Sequence, residues 1–126
     1  MLAASEALAR VHADWAWVVI VSNGVVGTWA LAAHRWPALR HRSLWWGTAA
    51  AEVAIFVQVA IGVALVQGRD LDVYRFHMFY GFIAAFTVAI IYSYRAQLTP
   101  HLYLLYGAGG IFLMGLGLRA LEVGPR

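Results

Sequence analysis

Arg10-Val11-His12 and Arg75-Phe76-His77 pair a histidine with an arginine in the same way, and each leads into a long apolar segment. Neutral imidazole ligates haem iron well, and two imidazoles at equal depth on diagonal helices can hold one planar macrocycle from both sides. Gly81 follows His77 by four residues and Ala16 follows His12 by four. Positions four apart share a helix face, so small side chains there leave room for a flat ring. Arg10, Arg69, Arg75 and Arg119 belong to the same end of the chain's helices and could pair with propionates through bidentate contacts. The alternative for these histidines is an unligated pair of wet interfacial residues. His34, His41 and His101 gather at the opposite end without metal-ligand spacing.

Glu52 is the other chemistry-bearing residue. It sits about 13 Å into its apolar segment at 1.5 Å per residue, where a carboxylate is costly and suggests function. Ser22, Asn23 and Thr87 reach similar depth, so a protonated Glu52 bonded to them as interhelical glue is one reading. A proton relay, a quinone contact with Gln58 two turns on, and a coupling carboxylate of a transporter are the others.

The elements that must position these groups are four segments, each long enough to cross a bilayer core, which takes about 20 residues. They run over about 15–33, 44–67, 76–94 and 102–118, with connections too short for a second domain. The expected fold is all-α: one membrane domain over 1–126, an antiparallel bundle of four transmembrane helices. Trp15, Trp17, Tyr74 and Tyr80 mark one interface; Trp29, Trp36, Trp45, Trp46, Tyr92, Tyr94 and Tyr103 mark the other. Gly24, Gly27, Gly81, Ala84, Ala85, Gly107 and Gly110 recur at helical spacing and allow close helix approach in lipid. The repeated Arg-x-His, with Ile55-Phe56 and Ile111-Phe112 in the returning helices, hints at two parallel hairpins.

Composition supports lipid as solvent. The chain is 63% hydrophobic and 12% charged, about half the charged fraction of soluble domains. Its nine basic residues are all arginine and are too scattered for a nucleic-acid surface. With no cysteine, disulfides, thiolate metal sites, iron–sulfur clusters and c-type haem attachment are excluded. The N-terminus has no positive region before an apolar stretch, so no cleavable signal peptide is expected. Arg35, Arg40 and Arg42 crowd the first loop, which favours both termini outside a bacterial-type inner (plasma) membrane. Phosphate loops, nucleophile elbows and paired carboxylates are absent, so no enzyme class is indicated.

A four-helix bundle with Arg-x-His on helices one and three and His77-x-x-x-Gly81 resembles the haem-b bundles of cytochrome b561-type proteins, and also one half of haem A synthase. The resemblance spans the chain as architecture. It implies haem b, with His12 and His77 as axial ligands, and an electron-transfer or respiratory-accessory role. Separately, Ala51-Glu52-Val53 resembles the glutamate neighbourhood of small multidrug resistance transporters, which implies proton-coupled transport through Glu52. The third expectation is a non-catalytic subunit or assembly factor, its glycine-rich fourth helix packed on a membrane protein partner or a second copy.

Overall fold

The computed structural model describes residues 2–67 and 71–124. Arg69, Asp70 and Arg126 lie outside the described residues. Among these residues the chain forms four α-helices: α1 (Leu2–Arg35), α2 (Arg42–Leu65), α3 (Arg75–Tyr94) and α4 (Leu102–Glu122). All four are long and apolar enough to cross a membrane, by length and composition.

Two boundaries differ from the sequence expectation by more than two residues. α1 starts at Leu2 rather than about residue 15, because Leu2–Asp14 carries alanine, leucine and no glycine or proline. Strong helix formers continue the helix past the apolar run. α4 continues to Glu122, four residues beyond the expected end.

Proline breaks the chain at both turns on the far side of the bundle. Trp36 is extended before Pro37, as the residue preceding proline prefers, and Pro37 opens a short 3-10 turn. Pro100 sits in a second such turn before α4. The end of α1 is then sealed from the loop: Arg40 donates from Nε to the Ala33 carbonyl (2.8 Å) and from its terminal nitrogen to that of His34 (3.1 Å). These are carbonyls that a helix end leaves without partners. His41 caps α2, its Nδ1 accepting the Ser43 N–H at 3.1 Å.

α1 packs most extensively on α4, then on α2, and α3 packs on α4. α2 and α3 touch only sparsely, and α1 lies diagonal to α3. The α1–α4 seam is closest where Gly27 meets Gly110. A Cβ added at Gly110 would lie 2.7 Å from Gly27 Cα and 2.9 Å from the Asn23 carbonyl oxygen. In lipid no hydrophobic force draws helices together, so such backbone contact carries association. Asn23, 1% exposed, sits in the same region and donates to the carbonyls of Val19 (2.8 Å) and Ala51 (3.2 Å), tying α1 to α2.

The core divides into two clusters. One gathers Val19, Ala54, Ile55, Ala84, Val88 and Leu113 among its members. The other gathers Val26, Ala30, Ala33, Leu44 and Ala51 nearer the proline turns. One expected interface anchor instead points inward: Trp15 donates to the Ala54 carbonyl at 2.9 Å, whereas Trp29 donates to the Leu39 carbonyl of the exposed turn at 2.8 Å. An exact two-hairpin repeat would pack α2 on α3 as it packs α1 on α4. The sparse α2–α3 seam breaks that symmetry.

Candidate functional site

The broken symmetry opens a cavity at the end of the bundle that holds the start of α1 and α3 and the end of α2 and α4. Its volume is about 420 Å³, within the range of small-molecule and cofactor sites. His12, Gln58, Gly62, His77, Tyr80 and Gly81 contribute to its wall, and Val19, Ile55 and Ala84 close its inner end against the core.

His12 and His77 meet here. Their ring centres are 5.8 Å apart and the ring planes stand at 77°. His12 is half-buried in the third turn of a continuous helix, and not at a frayed margin. Glycines make space for both rings. A Cβ at Gly62 would come 3.1 Å from His12 Cε1, and one at Gly124 would come 2.9 Å from His77 Nδ1. Gly81 has nothing within 4 Å of the place its Cβ would take, so it faces open cavity.

The two imidazoles are held differently. His77 Nδ1 lies 2.8 Å from the Ala120 carbonyl oxygen. A carbonyl can only accept, so Nδ1 carries the proton, and a neutral ring in this tautomer has its lone pair on Nε2. Gln58 donates from Nε2 to the His12 main-chain carbonyl at 2.8 Å. His12 Nδ1 and Gln58 Oε1 are both buried without a partner.

The arginines fall elsewhere. Arg10 and Arg75 are exposed and do not line the cavity. Arg75 lies over the Phe76 ring, 5.2 Å from its centre. Residues two apart on a helix point to opposite sides, so turning each histidine inward turns its arginine outward. Arg119 is nearer the site. It pairs with Glu122 at 3.0 Å and donates from Nε to the hydroxyl of Tyr80, a wall residue, at 3.4 Å.

The expected partners of Glu52 bond elsewhere. Ser22 donates to the Val19 carbonyl, Asn23 to those of Val19 and Ala51, and Thr87 to that of Ile83. Glu52 does not line the cavity. The glue joining α1 and α2 at this depth is therefore Asn23 on the α2 backbone. No group of three or more histidine, aspartate or glutamate side chains gathers among the described residues.

Of the residues singled out from the sequence, His12, His77, Gly81 and Gln58 line this one cavity, with Gln58 beside His12 and not beside Glu52. Sequence reasoning missed Gly62, Gly124 and the Ala120 carbonyl. The spacing Gln58-x-x-x-Gly62 puts both on one face of α2 and was a usable signal. A main-chain carbonyl has none. No family model matches the chain, and neither does any curated protein or solved structure.

Proposed function

We propose that the protein is a small haem-b-binding membrane protein serving electron transfer or a respiratory-accessory role, with His12 and His77 as axial ligands. In this reading the four helices span a bacterial-type inner membrane with both termini outside. The observation that carries it is the separation of the rings. Two imidazoles on one iron, at about 2 Å per iron–nitrogen bond, place their ring centres about 6 Å apart; the observed 5.8 Å agrees.

The donor set fits as well. A ligating histidine characteristically gives its second N–H to a carbonyl or carboxylate, as His77 does to Ala120. Gly62, Gly81 and Gly124 keep side-chain bulk away from the rings, and the apolar inner wall excludes water. When bound, the haem supplies a one-electron ferric–ferrous couple. The chain orients the ligands, sets their tautomers and governs the dielectric. Arg119, through Tyr80, is the arginine best placed to meet a propionate at the cavity's wet rim.

The test is a visible spectrum of detergent-purified protein from haem-replete cells. A Soret band with reducible α and β bands, lost in both His12→Ala and His77→Ala, is the expected result. Colourless wild-type protein would overturn the reading.

A further inference from the structure

We propose that Gln58 is a positioning residue that sets the electron-donor strength of His12, making the two axial ligands unequal. The inference rests on the haem reading above and assigns a role within that site. It starts from the two buried atoms without partners, His12 Nδ1 and Gln58 Oε1. A group buried without its hydrogen bond is costly, so two such groups, one a potential donor and one an acceptor, are candidates to satisfy each other.

The orientation of the amide follows from chemistry. The His12 main-chain carbonyl accepts only, so the Gln58 atom 2.8 Å away is the amide nitrogen. That leaves Oε1 as the free end, and it can only accept. A neutral imidazole bound to iron through Nε2 carries its proton on Nδ1. The ligating tautomer of His12 is thus the one that complements the free oxygen of Gln58. We place the completed bond between these two atoms, neither of which has another partner. One side chain then grips His12 at its main chain and its ring together.

The partner of His77 is a main-chain carbonyl held by helix α4, whereas that of His12 is a side chain. Accepting the Nδ1–H makes an imidazole more basic and a better donor, which favours ferric over ferrous iron. Removing the acceptor shifts the couple the other way. Gly62, one turn beyond Gln58 on α2, holds the space in which the ring turns.

The experiment is a redox titration of haem-loaded wild type, Gln58→Leu and Gln58→Glu, with circular dichroism to confirm folding. Gln58→Leu should raise the midpoint potential by about a tenfold change in the ferrous-to-ferric ratio, which is ~59 mV for one electron. Gln58→Glu keeps an acceptor and, when ionised, lowers the potential below wild type. Should Gln58→Leu lose its pigment, the Gln58→Glu potential alone carries the test. Potentials equal to wild type, or both variants moving the same way, would overturn the inference while leaving the haem reading intact. A colourless wild type removes both.

Discussion

The α1–α4 seam permits a sharp prediction, because its closest atoms belong to main chain. In Gly110→Ala the new Cβ meets Gly27 Cα at 2.7 Å, the Asn23 carbonyl oxygen at 2.9 Å and Gly27 N at 3.1 Å. Carbon atoms rest at about 3.5–4.0 Å, so α4 must step back by roughly 1 Å. No rotamer can relieve the clash. A gap of that size forfeits a quarter to a half of each atom pair's ~0.1–0.2 kcal/mol along the seam, and overpacking of this kind costs about 1–3 kcal/mol. Gly27→Ala runs into Ile111 N at 2.8 Å and the Gly110 carbonyl carbon at 2.9 Å, and should cost a similar amount. The double variant should cost less than the sum, since one separation relieves both contacts. Gly81→Ala and Gly115→Ala meet nothing within 4 Å and serve as controls. Unfolding followed by circular dichroism in a mild-detergent to SDS titration measures all five. If Gly110→Ala unfolds at the same point as Gly81→Ala, the seam is not the backbone contact described. Because α4 carries Ala120, the same 1 Å displacement should weaken the His77–Ala120 bond and with it retention of the proposed haem.

Other consequences are as direct. Gly81→Phe projects a ring into open cavity, so it should abolish binding of the proposed haem while leaving helical content unchanged. Were haem held as proposed between rings standing at 77°, near-perpendicular imidazoles would leave two iron d orbitals almost degenerate. The ferric protein should therefore show a highly anisotropic low-spin electron paramagnetic resonance signal; the rhombic signal of parallel ligand planes would refute the geometry. Asn23→Leu removes the interhelical bond to Ala51 and should cost about 1 kcal/mol, read in the same SDS titration. Arg119→Gln breaks an exposed ion pair with Glu122 and should leave the unfolding midpoint unchanged.

Much of the architecture was legible because lipid imposes simple demands. Apolar runs of about 20 residues between arginines gave four helices; that Pro37 and Pro100 carry both turns on one side came from the structure. The start of α1 was not legible from the apolar run, since helix propensity over Leu2–Asp14 carries it past the hydrophobic boundary. The pairing of His12 with His77 followed from equal depth on alternate helices. The role of the arginines did not follow: two-residue spacing, read as association, is opposition on a helix. Glu52 stood out by its cost in lipid, yet its neighbours satisfy themselves on main-chain carbonyls. Such bonds are set by helix rotation, which composition does not encode. The unequal seams were likewise hidden, since Gly27 and Gly110 look like any other small residues until their backbones meet.

The length of α1 also acts as a depth gauge. Its 34 residues reach about 51 Å, against a hydrocarbon core of about 30 Å. From Arg35 back to His12 the helix runs about 35 Å. In a bilayer, with Arg35 at one edge, the histidine pair lies at the opposite edge and the first turns of α1 stand beyond it. If the helices span a bilayer and the pair holds the proposed haem, its chemistry is sided: a water-soluble reductant added to sealed, uniformly oriented vesicles should reach it from one compartment only, with nearly the full thickness of the bundle between it and the other.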